Sequence, residues 1–104
     1  MGYYTRHELE VVDGDPELTT KLVEENEEAN YALESDGSSS ESCKWYDHEK
    51  HMREFSAKHP DALFKLSGEG EEAGDIWVEY YRGGKVQQCR AKIVFPDFDE
   101  KLLK

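Results

Sequence analysis

Two adjacent glycines, Gly83 and Gly84, separate two stretches of alternating side chains, and this feature constrains the fold more than any other in the sequence. A two-residue Gly-Gly connection between such stretches is typical of a β-hairpin, because glycine adopts the positive φ angles that tight hairpin turns require. We therefore predict strands over residues 75–82 and 85–95. The short loop also fixes the register, so the cross-strand partners follow by counting outward from the turn.

The register also divides the predicted hairpin into two faces. Its pairs are Arg82–Lys85, Tyr81–Val86, Tyr80–Gln87, Glu79–Gln88, Val78–Cys89, Trp77–Arg90, Ile76–Ala91 and Asp75–Lys92. Opposite charges meet in the last pair, and Trp77 can accept Arg90 against its ring. Positions 76, 78 and 80 are predicted to face the core. Trp77, Tyr81 and Arg90 are consequently predicted to face outward.

The rest of the chain predicts two helices and two further strands. In order these are a strand over 3–12, a helix from Pro16, capped by Asp15, to about 28, a helix over 48–58 and a strand over 62–67, with a candidate short strand between the two helices. His7 falls on the apolar side of the first strand and is predicted to be a packed core residue. This order indicates a single α+β domain over residues 1–104, with two helices on one face of an antiparallel sheet. The ferredoxin-like fold is one arrangement of this kind.

The net charge is concentrated in one third of the chain. The whole sequence has 24 acidic and 13 basic residues, a formal charge of −11. Residues 8–42, the acidic segment, carry twelve of the acidic residues and a single base, Lys21, whereas residues 43–104 are nearly balanced. The end of this segment, residues 34–42, is predicted to be a polar, serine-rich loop. Strong acidity argues against direct contact with nucleic acid or an anionic membrane, and a concentrated charge indicates either a partner or a solvating segment.

Five glutamates of the predicted first helix are the main candidates for contact with that partner. They are Glu17, Glu24, Glu25, Glu27 and Glu28. Helical geometry separates such carboxylates by one turn, roughly 5–6 Å, which is close to the phosphate spacing along a nucleic-acid strand. The helix can therefore imitate a nucleic-acid backbone and occupy a basic channel. The alternative is an ordinary solvated helix face.

Trp77, Tyr81 and Arg90 form a second candidate surface on the outward face of the hairpin. Aromatic and arginine side chains are enriched where proteins bind one another, and self-association as a homodimer is the leading contact predicted here. The alternative is that the C-terminal residues Phe98 and Leu102 cover this face.

Metal binding and catalysis are only weakly indicated. Cys43, His48 and His51, with Asp47 beside them, offer ligand atoms but match no recognised zinc spacing. We therefore predict no metal and no other cofactor. No nucleophile is tied to a base by any motif, so we predict that the protein is not an enzyme.

A small-ligand site and the cell compartment can also be addressed from the sequence. A module that sequesters a signalling nucleotide needs converging cations, for which Arg6, Arg90 and Lys92 are the obvious suppliers. The two cysteines are too few for a disulfide framework and fit a reducing cytoplasm. No apolar run approaches the roughly 20 residues needed to span a membrane, and no secretory signal is present.

Residues 59–72 (HPDALFKLSGEGEE), followed by 74–77 (GDIW) and the Gly83-Gly84-Lys85 turn, resemble a pattern in small proteins of phages and other mobile elements. Residues 44–47 (KWYD) resemble part of the same pattern, so that the resemblance covers about residues 43–104. Small acidic phage proteins often inhibit host defence, and they include anti-CRISPR proteins that occupy the nucleic-acid channel of an effector complex. The resemblance thus implies a non-enzymatic inhibitor, located in the host cytoplasm, that occludes the basic nucleic-acid-binding surface of a host nuclease or effector. A nucleotide-sequestering module and a self-associating assembly protein are the alternatives.

Overall fold

The computed structural model of the chain describes residues 4–40, 42–72, 74–91 and 97–104. Its elements are β1 (Thr5–Asp13), α1 (Leu18–Glu25), α2 (Glu27–Ala32), α3 (His48–Lys58), β2 (Leu63–Gly70), β3 (Ile76–Arg82), β4 (Lys85–Arg90) and a 3-10 turn (Glu100–Leu102). The predicted α+β class is confirmed, because helices pack on one face of an antiparallel sheet whose strands follow in the order β1-β2-β3-β4. Among the described residues, no helix has the length and apolar character needed to cross a membrane.

The turn at Gly83 and Gly84 sets the register that the sequence predicts. Both glycines have positive φ angles, 56° and 80°. All six predicted pairs within the two strands are present, and the Ala91 N–H continues the ladder by donating to the Ile76 carbonyl at 2.9 Å. Lys92, with its predicted pairing, and the predicted continuation of the strand to residue 95 lie outside the described residues.

The face assignment predicted for this hairpin is wrong. Tyr81 is fully buried and Glu79 is 6% exposed, whereas Ile76 is 48% exposed. The side of β3 that carries Trp77 and Tyr81 therefore faces the helices, and we call it the inner face of the sheet. The reason is that α3 packs on this side and buried hydrogen bonds satisfy Glu79, which a comparison of apolar residues on the two faces does not detect.

The core lies between this inner face and the three helices. The sheet contributes Leu9, Phe64, Leu66 and Tyr81, and the helices contribute Leu22, Val23, Ala29, Ala32, Met52 and Phe55. The register places Leu9 beside Leu66 on neighbouring strands, so the sheet presents a continuous apolar surface to the helices. The predicted burial of His7 is confirmed, and Met52 and Phe55 of α3 are also buried.

The single first helix that the sequence predicts is two helices. The extended backbone of Asn26, with φ −123° and ψ 114°, ends α1. The Asn26 Oδ1 then accepts a hydrogen bond from the Ala29 N–H at 3.0 Å and caps α2. As a result Glu24 and Glu28 belong to different helices.

Residues 34–40, together with Cys43, cover the outer edge of β1. The Leu9 N–H donates to the Gly37 carbonyl at 2.7 Å, and Thr5 and Cys43 exchange two backbone hydrogen bonds at 2.9 and 3.0 Å. The predicted loop is therefore attached to the sheet, and Gly37 is buried. An edge strand covered in this way does not offer its backbone groups to another chain.

Candidate functional site

Every described acidic residue of the acidic segment is exposed. These are Glu8, Glu10, Asp13, Asp15, Glu17, Glu24, Glu25, Glu27, Glu28, Glu34 and Asp36, while Glu41 lies outside the described residues. Among the ion pairs of the described chain, only that of Asp13 with Arg82, at 3.3 Å, involves this segment. The other carboxylates lack a cationic partner among the described residues, although Asp15 and Asp36 accept local hydrogen bonds from Glu17 and Ser38.

The acidic segment and the nearly balanced remainder of the chain also lie in different parts of the structure. α1 and α2 pack against β1, whereas α3 packs against β3 and β4, and the strand order places these groups at opposite edges of the sheet. We call β1, α1, α2 and the loop 34–42 the acidic side. Glu8 and Glu10 alternate with buried His7 and Leu9, so they lie on the face opposite the helices. The acidic side consequently wraps around the β1 edge and carries charge on both faces of the molecule.

The five glutamates predicted to contact a partner all lie on the acidic side and are exposed. Glu17 precedes α1, Glu24 and Glu25 end it, and Glu27 and Glu28 begin α2. The prediction of a single helical ladder of carboxylates is wrong, because the break between α1 and α2 interrupts it. The five glutamates remain on the surface, but their carboxylates do not follow one another at the regular spacing of a single helix.

A buried polar network lies at the other end of the inner face, and the sequence analysis does not identify it. The Glu79 Oε1 accepts a hydrogen bond from the Tyr81 hydroxyl at 2.6 Å and lies 3.0 Å from the His48 Nε2. The Glu79 Oε2 accepts from the Gln88 Nε2 at 3.1 Å. Residues from α3, β3 and β4 therefore meet on one carboxylate.

The contacts of both ring nitrogens favour the protonated form of His48 in this network. Its Nδ1 lies 2.9 Å from the Trp45 carbonyl oxygen, which can only accept, and its Nε2 faces the Glu79 carboxylate, so both nitrogens donate. Burial by itself lowers the pKa of His48, but the hydrogen bonds to Glu79 and Trp45 and the charges of Glu79 and Glu49 raise it above its ordinary value. Burial likewise raises the pKa of Glu79, and its three hydrogen-bond donors together with the charge on His48 outweigh burial and lower it. Both directions favour the ionised pair in the folded protein.

Aromatic rings enclose this ion pair. The His48 and Trp77 rings stack with centroids 4.8 Å apart and an interplanar angle of 18°, the geometry of a cation–π contact. The other side of the Trp77 indole lies against Gly68, where a Cβ atom would overlap the ring. The indole is therefore held between a backbone and an imidazolium.

His7 is the second histidine of this region and is neutral. Burial, reinforced by the nearby positive charge on His48 and opposed by Glu79, lowers the pKa of His7 to about 4. The ring lies edge-on to Trp45, with centroids 5.4 Å apart, and 6.0 Å from the His48 ring. Its Nδ1 has no hydrogen-bond partner among the described residues.

A cleft of about 520 Å³ opens beside the network, between the start of α3 and the β3–β4 hairpin. Its lining includes Tyr46, His48, Glu49, Trp77, Gln88 and Arg90. A smaller cavity of about 190 Å³, lined in part by His7, adjoins it and shares four of its residues. At the rim, the Arg90 Nη1 donates to the Asp75 Oδ1 at 2.9 Å.

The second predicted surface is rearranged by the reversal of the hairpin faces. Tyr81 is fully buried, Trp77 is half-buried and Arg90 is exposed, so the three do not form one outward surface. The alternative in which Phe98 and Leu102 cover the face that carries Trp77 is also wrong, because these side chains are 78% and 67% exposed.

The arginines predicted to supply a nucleotide site do not converge. Arg6 alternates with buried His7 and lies on the outer face of the sheet. Arg90 pairs with Trp77 in the register and lies on the inner face. Lys92 lies outside the described residues.

Glu28, Asp47 and His51 form a cluster whose potential ligand atoms lie within 4.8 Å of one another. The Trp45 indole N–H, which can only donate, donates to the His51 Nδ1 at 2.9 Å. In a neutral imidazole the Nε2 then carries the proton, so neither nitrogen is open to a metal ion while this hydrogen bond persists. Cys43 does not join this group among the described residues.

Comparisons with known proteins identify no relative. No protein-family model matches the chain, and no curated protein or solved structure matches it significantly. The resemblance to small phage proteins therefore stays a prediction, and the function is proposed from geometry and charge.

We expect the free energy of unfolding to depend on pH in opposite directions on the two sides of about pH 6.5. The unfolded chain protonates His7 near pH 6.5 but the folded protein does so only near pH 4, so stability falls by roughly 3 kcal/mol over this interval. Because the pKa of Glu79 is lowered in the folded protein, the free energy of unfolding decreases further as the pH falls through that pKa. The raised pKa of His48 gives a contribution that is complete below pH 6.5 and is lost as pH rises through its folded value.

Urea unfolding between pH 4 and 9 measures both limbs, and His7→Phe provides the control. Subtracting the free energy of unfolding of this variant from that of the natural protein cancels the effect of net charge, because the two proteins have the same net charge above pH 6.5. We expect the difference to change by roughly 3 kcal/mol from pH 6.5 to 4 and to stay constant at alkaline pH. A difference that is independent of pH throughout would contradict the burial of a neutral His7.

Proposed function

We propose that this protein is a non-enzymatic binding protein that occupies the basic nucleic-acid-binding surface of another protein. The observation that supports this function is the acidic side, where eleven exposed carboxylates include only one that is ion-paired within the described chain. A dense array of unpaired charge costs stability through self-repulsion, and a partner of opposite sign removes that cost. In the setting that the sequence resemblance implies, the partner is a nuclease or effector complex of a host defence system, as for anti-CRISPR proteins, in the host cytoplasm.

The shape of the acidic side favours a groove over a flat surface. Glu8 and Glu10 project from one face of β1, and the glutamates of α1 and α2 lie on the opposite layer. An edge that is charged on both faces can contact cations on both walls of a channel. Such a channel binds a nucleic acid through the same cations, so the two ligands compete.

The hydrogen bonds of His48 and His51 support a role without catalysis for these two histidines. Both ring nitrogens of His48 are committed to hydrogen bonds, and the Nδ1 of His51 is occupied by the indole of Trp45. A general base needs a nitrogen that reaches the substrate. Neither residue offers one while these bonds persist.

Charge reversal on the helices tests this proposal. We expect Glu24→Lys, Glu25→Lys and Glu27→Lys together to weaken binding of the partner by roughly 100-fold, mainly through slower association at low salt. The partner is captured from host lysate with the natural protein, identified, and then measured by surface plasmon resonance with and without a competing oligonucleotide. The proposal expects the oligonucleotide and the natural protein to exclude one another.

A matched reversal away from the acidic side provides the control. Glu54→Lys, Asp61→Lys and Glu69→Lys change the net charge by the same amount at exposed positions of α3, of the turn that follows it, and of β2. We expect this variant to bind within a factor of about 5 of the natural protein. Equal weakening by both triple variants, or simultaneous binding of partner to oligonucleotide and protein, would overturn the proposal.

A further inference from the structure

The outer edge of β4 carries backbone groups that point away from the sheet. The Ala91 N–H donates to the Ile76 carbonyl, and in an antiparallel ladder only alternate residues bond to the neighbouring strand. The backbone groups of Val86, Gln88 and Arg90 therefore point outward. Outside the β3–β4 ladder, no backbone hydrogen bond among the described residues reaches them. β4 consequently offers a row of N–H and C=O groups to another extended chain.

The sequence of β4 does not protect this edge. Edge strands are commonly blocked by proline, a bulge or a charge, or are covered by a loop, as residues 34–40 cover β1. Residues 86–89 contain neither a charge nor a proline, and the pairing of β4 with β3 is regular throughout. Lys85 and Arg90 stand only at the two ends of the strand. The middle of β4 is therefore suited to strand pairing.

The charge distribution makes a second copy of this chain a fitting occupant of the edge. β4 and α3 belong to residues 43–104, which are nearly balanced in charge, and the acidic side lies at the opposite edge of the sheet. Two copies that meet along β4 hold their acidic sides at the far ends of the pair. The net charge of −11 per chain thus opposes a contact through β4 less than one through β1.

We infer that two copies of this chain associate through β4 into one continuous eight-stranded antiparallel sheet. A two-fold axis at Gln88 pairs this residue with Gln88 of the second copy and pairs Val86 with Arg90 on either side. These three pairs use all the outward backbone groups of both strands, with two hydrogen bonds in each pair. Because residues 34–40 cover β1, the association closes at two copies.

The side chains along this pairing are compatible. On the outer face, Lys85 lies opposite Ala91 of the second copy, and Gln87 lies opposite Cys89, so no like charges face one another. On the inner face, α3 packs over both β3 and β4. With strands about 4.8 Å apart, the axis then separates the two α3 helices by about 10 Å, a normal packing distance.

Sedimentation equilibrium of the full chain measures this association. The contact is small, so we expect a dissociation constant of about 50 µM, with monomer at roughly 5 µM and mostly dimer at roughly 500 µM. Hydrogen exchange at these two concentrations locates the contact. The amides of Val86, Gln88 and Arg90 should exchange about 5-fold more slowly at the higher concentration, and that of Gln87, bonded to β3, should not change. A chain that stays monomeric, or a dimer whose outward amides exchange unchanged, would overturn the inference.

Arg90→Pro tests the edge directly. It removes an outward N–H and sets a ring against the second copy, but it leaves the ladder to β3 intact, since this N–H is not part of it. We expect the dissociation constant to rise at least about 20-fold. Arg90→Ala is the matched control, because it loses the same contact with Asp75 but keeps the N–H, and it should stay within about 3-fold of the natural protein. Equal constants for the two variants would reject the β4 contact.

Gln87→Cys tests the register without a change to the backbone. Gln87 and Cys89 of the second copy form a non-hydrogen-bonded pair, with Cα atoms about 4.5 Å apart, which a disulfide can bridge. Mild oxidation should therefore give a covalent dimer on a non-reducing gel, well above the level of the natural chain. Addition of Cys89→Ser should abolish it. A covalent dimer that persists in the double variant would contradict the register.

This inference goes beyond the proposed function, and the two fail separately. The reversal of Glu24, Glu25 and Glu27 weakens partner binding under the proposed function but leaves the dimer in place, whereas Arg90→Pro removes the dimer and leaves the acidic side intact. If the chain alone stays monomeric and its outward β4 amides are protected only by the captured basic partner, the edge belongs to that partner and the dimer is rejected.

Discussion

Glu79→Gln is expected to lower the free energy of unfolding by about 3 kcal/mol and the melting temperature by roughly 15 °C. The substitution keeps the shape of the side chain but removes the charge that faces His48 at 3.0 Å. It also places an amide N–H₂ or a single carbonyl where Tyr81, His48 and Gln88 all donate. At least one buried donor is then left unsatisfied, and the protonated His48 ring loses its counter-ion.

Glu49→Gln is the matched control for this variant. Glu49 accepts from the same Gln88 amide at 2.8 Å but is much more exposed than Glu79, so we expect a loss below about 0.5 kcal/mol. Urea unfolding at pH 6 measures both variants. The same experiment at pH 6 to 9 should show that Glu79→Gln abolishes the alkaline loss of stability, because His48 no longer has a raised pKa. Equal losses in the two variants would mean that the buried pair is not ionised.

The parts of this fold that depend on local sequence could be predicted. The register of β3 and β4 follows from the two-residue turn at Gly83 and Gly84, and all of its described pairs are correct. α3 was predicted with its observed bounds, since its polar and apolar residues alternate with a helical period and Pro60 prevents its continuation. Neither feature requires knowledge of a distant segment.

The face of the hairpin could not be predicted because it depends on where α3 packs. Both faces of β3 carry large apolar side chains, so their composition does not decide between them. Glu79 lies on the side of β3 that the sequence predicts to face outward, although a carboxylate can be buried when it is fully paired. Its partners, His48 and Gln88, lie 31 and 9 residues away in the sequence, and only the folded chain brings them together. The alternation along β3 places Glu79 on the same side of the strand as Trp77 and Tyr81, and this is the feature of the sequence that indicates the buried network.

The sequence around Asn26 indicates a break in the first helix, but the spacing of the apolar residues favours an unbroken helix. Asn26 is a favourable N-cap residue, and the acidic pair Glu27 and Glu28 after it suits the first turn of a new helix. Leu22 and Ala29 are both buried, and their spacing suggested a single helix through this position. The exposure of the acidic segment, in contrast, follows directly from composition, because unpaired carboxylates stay in water.

Gly37→Ala is expected to cost about 3 kcal/mol, an effect second only to changes at Glu79. Gly37 has a φ of +90°, which side chains with a Cβ rarely adopt, and a Cβ here would overlap the Leu9 carbonyl oxygen. The overlapping atom belongs to the backbone of β1, so it cannot rotate away as a side chain would. The turn is also held rigid, because the Asp36 Oδ1 accepts from the Ser38 N–H at 2.9 Å and from its hydroxyl at 2.6 Å.

Gly83→Ala separates the two causes of this loss. Gly83 also has a positive φ, +56°, but a Cβ there has no atom within 4 Å, so its cost is backbone strain alone, about 1 kcal/mol.

Urea unfolding compares the variants, and hydrogen exchange at the Leu9 amide reports whether the loop leaves β1. In Gly37→Ala this amide should exchange much faster because its 2.7 Å bond to the Gly37 carbonyl is lost. Equal losses in the two variants, with Leu9 still protected, would show that the loop does not pack on β1. If the loop does leave, β1 becomes an open edge strand and the variant should self-associate at high concentration.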